Sequence, residues 1–312
     1  MNLRNTQLVP SFSRPPSRVL IRRVARYEED LLAIIYESLC EFALPIKDKT
    51  VFLKANLVGL DPLGSINTHP AVIAATRESF LKAGAARVLI GDGPALDRDT
   101  QAILESVRLR EFTGTLKFGP GGDFCDLNID DLERVPLETR ASPLRELYLP
   151  KTVLGADFFV SMPKLKTHHW AGVTLSMKNL FGIVPGSCYG WPKNILHWAG
   201  IDRSILDINA AARPDFVIVD GILGMEGNGP TQGNPKHAGV LLFGDDPVAA
   251  DSTACRVMGL RPEKVDYLAR AATMLGHLEI SKIQQLGEPV DAVRTPFAVL
   301  AEFHALREPE AE

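Results

Sequence analysis

Residues 51–93 decide the fold: Val51-Phe52-Leu53-Lys54-Ala55-Asn56, a helical pattern over 70–83 ended by Gly84, then Val88-Leu89-Ile90-Gly91-Asp92-Gly93. The two apolar runs are short and rich in β-branched and aromatic residues, and Pro70 suits the first turn of the helix between them. A strand, a helix and a second strand in that order predict a parallel βαβ unit. The alternation continues outward. Upstream are a strand at 19–24 and a helix near 28–42; downstream are strands at 156–160, 216–219 and 240–243, with helices near 202–212 and 247–258. The expected fold class is α/β, with a mostly parallel Rossmann-like sheet over residues 1–200 and a second, smaller α/β lobe over 201–312. Weak periodicity at 113–150 reads as an insertion or edge structure, and no internal repeat is present.

Composition narrows the function class. The 312 residues carry 34 Lys and Arg against 38 Asp and Glu, a net charge of −4, with 46% hydrophobic residues. This balance argues against a general nucleic-acid binder, which carries a basic excess. No apolar run approaches the length of a membrane span. Cys40, Cys125, Cys188 and Cys255 are dispersed, so no closely spaced set offers an iron–sulfur or structural zinc site, and a reduced, cytoplasmic chain is expected. Arg4, Arg14, Arg18, Arg22, Arg23 and Arg26 precede the first acid, Glu28; with no apolar stretch after them they read as a polar lead-in to the first strand.

Parallel sheets bind ligands where their strands end, which gives weight to polar residues just after each run. Lys54 and Asn56, Asp92, and Asp220 occupy such positions, each also compatible with a plain turn. The densest block spans 162–186 and contains Lys164, Lys166, His168, His169, Lys178 and Asn179; all three tryptophans and His197 lie within 168–198. Ammonium groups beside imidazoles receive a carboxylate, phosphate or enolate, and a lysine depressed by its neighbours acts as base or nucleophile. Residues 221–239 hold six glycines and two prolines and read as a mobile lid or ligand loop, in which Glu226, Gly227 and Asn228 are candidate ligand contacts. Asp245 and Asp246 read as helix caps before Pro247, and Asp251 is open between structural and crevice roles.

On these pieces the chain resembles the domain-of-unknown-function family 362. The matching stretches are Lys54-Ala55-Asn56-Leu57-Val58, Thr68-His69-Pro70, Gly91-Asp92-Gly93-Pro94, Pro163-Lys164-Leu165-Lys166-Thr167-His168, Lys178-Asn179-Leu180-Phe181-Gly182, and Asp220-Gly221 with Gly227-Asn228-Gly229-Pro230. Many relatives are described as iron–sulfur proteins through an added ferredoxin-like module with clustered cysteines, a pattern absent from this sequence. The chain is similar, more distantly, to the nickel-pincer lactate racemases: His168-His169-Trp170-Ala171-Gly172 is followed by Lys178 and by Pro185-Gly186. That resemblance implies Lys178 as a covalent anchor for a cofactor and His168 as a metal ligand or acid/base.

The sequence therefore predicts an enzyme binding an anionic small molecule between two lobes, with a metal-containing or nucleotide-like cofactor and racemase- or isomerase-like chemistry. Catalytic candidates are His168, Lys178 and Asp92; ligand or cofactor candidates are Lys54, Asn56, His69, Lys164, Lys166, Asn179, Asp220, Glu226, Gly227 and Asn228; the metal candidate is His168. An iron–sulfur-associated redox or maturation protein and a non-catalytic ligand binder are the alternatives. A homo-oligomer or redox partner is open, whereas nucleic acid and membrane are not expected as partners.

Overall fold

The computed structural model describes residues 14–94, 99–114, 117 and 122–308; Arg4 and residues 309–312 of the tail lie outside them. In chain order the strands are β1 (Ser17–Arg23), β2 (Thr50–Lys54), β3 (Arg87–Asp92), β4 (Phe124–Asp126), β5 (Leu132–Pro136), β6 (Glu146–Pro150), β7 (Phe158–Ser161), β8 (Lys164–His168), β9 (Gly172–Thr174), β10 (Phe216–Glu226), β11 (Asn234–Gly244) and β12 (Ile283–Gly287). One sheet runs β12-β1-β11-β10-β7-β2-β3-β4, with β8 pairing β10 and β9. Along that path only β11 is antiparallel to its neighbours. The 51–93 unit appears as read: β2 and β3 pair in parallel, Thr50 opposite Arg87 through Lys54 opposite Gly91, joined by the helix Pro70–Lys82.

Alternate residues of each strand face opposite sides, and each side has its own core. Val51, Leu53, Val88, Ile90 and Val160 pack under the helices Leu31–Phe42 and Pro70–Lys82, against Ile35, Leu39, Val72 and Phe80. Phe52, Leu89, Phe159 and Val217 face the other way, toward Ile205, Ile208, Val248 and Ala254 of the helices Ile201–Ala211 and Pro247–Val257. Buried on both faces, the strands read as continuous apolar runs. Capping fixes where the helices begin. The Asp30 carboxylate accepts from Ala33 N at 3.0 Å, the His69 ring accepts from Ala71 N at 3.2 Å, and Asp246 accepts from Val248 N and Ala249 N at 2.8 and 3.1 Å. Asp245, expected as a cap, instead accepts from the backbone N and Nε of Arg18 at 2.8 and 3.0 Å, tying β1 to the end of β11.

The edge structure expected at 113–150 is present, and the loop expected at 221–239 changes. The boundary expected at residue 200 falls between strands of the same sheet, since β10 pairs with β7 and β11 with β1. The stretch at 113–150 supplies, in its described part, the edge strand β4 and a two-stranded β5–β6 ribbon. The glycine-rich segment 221–239 is for the most part a hairpin: β10 and β11 pair from Val217 opposite Gly244 to Glu226 opposite Asn234, with a bulge after Gly221. Its glycines answer close backbone packing, because a β-carbon on Gly224 would collide with the Leu165 carbonyl and one on Gly229 with the Thr167 carbonyl.

Candidate active site

The parallel strands β2, β3 and β8 end at one edge of the sheet, where Lys54, Asp92 and His168 are their last residues. A cavity of about 210 Å³ opens there. Its floor is Lys54, Asn56, Asp92 and Asn179; its walls are His168, Lys178 and Lys193; its mouth carries His169, Trp170, His197, Pro230 and Thr231.

At the floor Lys54 Nζ lies 2.7 Å from Asp92 Oδ1 and also donates to the Ala55 carbonyl at 2.6 Å and to Asn179 Oδ1 at 3.0 Å. Asp92 accepts from Leu57 N at 2.6 Å and Gly93 N at 2.7 Å, so both charges are fully hydrogen-bonded where water does not reach them. Burial lowers the Lys54 pKa against the opposing pull of Asp92. Gly182 is required by this pair: a β-carbon there would meet Asp92 Oδ1 and the Lys54 ammonium. The glycine of Lys178-Asn179-Leu180-Phe181-Gly182 thereby serves β2 and β3 more than its own turn.

Three further lysines have no carboxylate within ion-pair distance among the described residues. Lys193 Nζ donates to the carbonyls of Phe181 and Gly93 at 2.6 and 2.9 Å. Lys166 Nζ, beneath the mouth, donates to the carbonyls of Ile66 at 2.6 Å and Pro230 at 3.4 Å. Lys178 Nζ sits 3.7 Å from the centre of the Phe181 ring and makes no hydrogen bond to any described residue. Burial pushes each down to about 7: Lys166 against a partial offset from Asp61 and with a further push from Lys164, Lys178 with a further push from Lys54, and Lys193 with a partial offset from Asp92. Lys178 rides on the short helix Ser176–Asn179, whose first amides, Ser176 N and Met177 N, donate to the buried Asp251 carboxylate at 2.7 and 2.9 Å. Asp251, left open by the sequence, is thus a positioning residue for Lys178. Burial raises its pKa to about 8 in spite of those two amide bonds.

The histidines differ in which nitrogen they offer. His168 Nδ1 accepts from Trp170 N at 3.0 Å and from Ala171 N at 3.2 Å, so in the neutral ring the proton is on Nε2. Burial, then Lys178, holds its pKa well below the ordinary value and keeps the ring neutral. A metal ligand would need a bare Nε2 and a protonated Nδ1. The backbone of the β8–β9 turn thus presents the neutral His168 ring as an N–H donor at Nε2, unlike the arrangement expected of a metal ligand. His169 and His197 have the opposite arrangement, with Nδ1 at 2.7 Å from the Gly229 carbonyl and 3.1 Å from the Lys193 carbonyl, which leaves Nε2 as an acceptor. Burial pushes His197 down to about 4. Among the described residues no group of three His, Cys, Asp or Glu is placed to hold a metal ion. The free Lys178 amine suits a covalent anchor, but the donor set around it does not fit a metal-bearing group.

Several candidates lie outside the cavity. Lys164 Nζ is paired with Asp220 Oδ2 at 2.9 Å and donates to Tyr27 Oη at 2.8 Å, while Tyr27 donates to Asp220 Oδ1 at 3.0 Å. His69 donates its backbone N–H to Asp220 at 2.9 Å and stacks its ring 3.7 Å from Tyr27. This closed, buried network joins β8 and β10 to the start of the Pro70–Lys82 helix. Glu226 accepts from Ala298 N at 2.9 Å and lies 3.3 Å from Lys236 Nζ; the Gly227 carbonyl accepts from Thr167 Oγ1 at 2.8 Å; and Asn228 Nδ2 donates to Gln232 at 3.2 Å. None of the three lines the cavity, for each is already bonded within the hairpin or to Thr167 and Ala298 beside it. Sequence reasoning missed Lys193, although it follows Trp191-Pro192 inside the aromatic-rich block, and Thr174. Asn56 Oδ1 and Thr174 Oγ1 line the cavity buried and without a protein partner, as groups awaiting a ligand do.

Over residues 51–256 the chain matches the family described as Domain of unknown function (DUF362). It is 31% identical over 228 residues to a thylakoid-associated protein of Synechocystis sp., the match covering 70% of this chain and 66%, just under two thirds, of that protein. Among solved structures it is similar to the lactate racemase apoprotein from Thermoanaerobacterium thermosaccharolyticum, at 17% identity and a TM-score of 0.41 over 72% of this chain and 53% of that one. It is also similar to a structural-genomics protein from Thermotoga maritima, at 13% identity and a TM-score of 0.34 over 62% of this chain and 50% of that one. The chain thus spans about half the length of both solved proteins. No helix among the described residues is long and apolar enough to cross a membrane.

Proposed function

Since the chain belongs to the DUF362 family, whose description assigns no reaction, we propose a function from the site itself: it binds a small carboxylate or phosphate anion at the strand ends and moves a proton with Lys178. The observation that carries this reading is the Lys178 amine, which lines the cavity without a hydrogen-bond partner among the described residues and titrates at about 7. An amine tuned to the working pH is half free base there, the condition for efficient general-base catalysis.

In this reading the anionic group is held by Lys193 and by the unpartnered Asn56 and Thr174, and its charge restores the proton that burial disfavours on Lys193, while Lys178, beside the uncharged reacting carbon, stays a neutral amine. Neutral Lys178 takes a proton from the carbon next to a carbonyl or carboxylate. The C–H electron pair moves into the carbonyl, and the oxyanion that forms accepts from His168 Nε2–H and the neighbouring ammonium groups. Return of the proton to the other face or to an adjacent carbon completes a racemisation or isomerisation with no net redox change.

The test uses pyruvate, the simplest carboxylate with exchangeable C–H bonds next to a carbonyl. In D2O at neutral pH the protein is expected to speed deuterium incorporation at the methyl group, and Lys178→Met to remove the acceleration while oxalate binding persists. Binding of oxalate by the wild type with no enhanced exchange of any 2-oxo or 2-hydroxy acid offered would reduce the site to that of a carrier.

A further inference from the structure

Beside the lysine cavity lies a second one of about 360 Å³, between the loop after β2 and the turn of the β10–β11 hairpin. Its lining has no charged side chain and includes Leu60, Pro62, Leu63, Ile66 and Met225. Leu60 and Leu63 are 57% and 62% exposed, although they belong to a loop that is firmly held. Asp61 accepts from Ser65 N, Ile66 N and Asn67 N at 3.0, 2.9 and 2.7 Å, and Asn67 Nδ2 donates to the Gly59 carbonyl at 2.8 Å. The leucines are therefore displayed by a braced scaffold. The Ser65 hydroxyl faces the same space, buried and with no protein partner.

The two cavities meet. Thr231 lines both, and the Lys166 ammonium bonds at once to the Ile66 carbonyl in the wall of the second and the Pro230 carbonyl in the wall of the first. A ligand occupying both places its anion among the lysines and an apolar portion over Leu60 and Leu63, with the cation at the junction. We infer that the substrate class is an anion with an apolar arm: a carboxylate or phosphate head for the lysine cavity, carrying a hydrocarbon or other weakly polar chain that lies in the Leu60–Leu63 groove and meets the hydroxyl-bearing residues Ser65 and Thr231. This deepens the anion-binding reading and rests on it.

Calorimetric titration of methyl phosphate and pentyl phosphate separates the two ideas, using the wild type, Leu60→Ser/Leu63→Ser, and Leu32→Ser as a control for an exposed leucine on a distant helix. Each methylene covered by the groove tightens binding by about fourfold. The wild type and Leu32→Ser are expected to prefer pentyl phosphate by at least about tenfold, two covered methylenes being enough. The double variant is expected to keep its affinity for methyl phosphate and lose most of that preference. Equal affinity of the wild type for the two esters, or a preference that survives in the double variant, overturns the apolar-arm inference alone. Failure of both esters to bind overturns the anion reading and this inference together.

Discussion

Anion binding at this site must be accompanied by proton uptake, and the amount follows from the three lysines without a carboxylate. Burial holds Lys166, Lys178 and Lys193 at about 7, Lys178 and Lys193 in the cavity lining and Lys166 behind it. At pH 8 each is protonated in about one molecule in ten, and an oxyanion that raises each by about two pKa units protonates it in about nine of ten. The gain is about 0.8 proton per lysine, or roughly 2.4 for the three. By linkage the affinity then falls by about two orders of magnitude between pH 7.5 and 8.5. Sulfate is the appropriate probe because it does not titrate in this range and because, as a tetrahedral dianion, it also places charge beside Lys178, where a substrate would place its uncharged reacting carbon. Calorimetry at pH 8 in buffers of different ionisation enthalpy reads the uptake directly, as the slope of observed against buffer enthalpy. Lys178→Met should lower that slope to roughly 1.6. Sulfate binding with a slope near zero, or a slope unchanged in Lys178→Met, would refute the reasoning, since the lysines would then be charged before the anion arrives.

The same groups set the stability profile of the ligand-free protein. Lysines held at about 7, against 10.5 when free, bind fewer protons folded than unfolded, so their contribution to stability rises with pH across that interval. Asp251, raised from 3.8 to about 8, works oppositely up to that pH, and Cys125, Cys188 and Cys255, raised by burial, work oppositely as pH approaches 9, so in the window pH 8–9 the three lysines outweigh the opposing groups. The Tm should therefore rise from pH 8 to 9, and saturating sulfate should flatten the rise; a falling Tm without ligand contradicts the lysine assignments. Asp251→Ala strands the amides of Ser176 and Met177 and should cost about 2–4 kcal/mol in urea unfolding. Gly182→Ala drives a methyl group into the Lys54–Asp92 pair and should cost about 1–3 kcal/mol, with weaker sulfate binding in the same preparation.

Much of the fold was legible because parallel strands buried on both faces are written as short apolar runs, as at 51–53, 88–90 and 216–219, with helices between them that begin at Asp30, Pro70 and Pro247. The place of β10 and β11 in the middle of the sheet was not legible, because order across a sheet is set by pairing rather than by local pattern. The hairpin at 221–239 was hidden for a related reason: glycines demanded by neighbouring carbonyls look the same in sequence as glycines of a loop. Within the site, the strand-end rule found Lys54, Asn56 and Asp92, and the dense block held His168 and Lys178. It could not say which lysine meets a carboxylate. Lys164 finds Asp220 from 56 residues away and is neutralised, while Lys178 finds none. The His168 tautomer is likewise fixed by two backbone amides of a turn, which a side-chain pattern does not reveal.

The central claim is that three lysines, Lys178 and Lys193 in this crevice and Lys166 behind it, are held near neutrality until an anion restores their charge, and titrating the lysine side chains reads it most directly. With 13C-labelled lysine, the Cε resonances of Lys166, Lys178 and Lys193, assigned through their methionine variants, should titrate near 7 in the free protein and above about 9 with saturating sulfate. Three resonances that titrate near 10.5 with or without sulfate would contradict the account, and the crevice would then have no special claim on an anion.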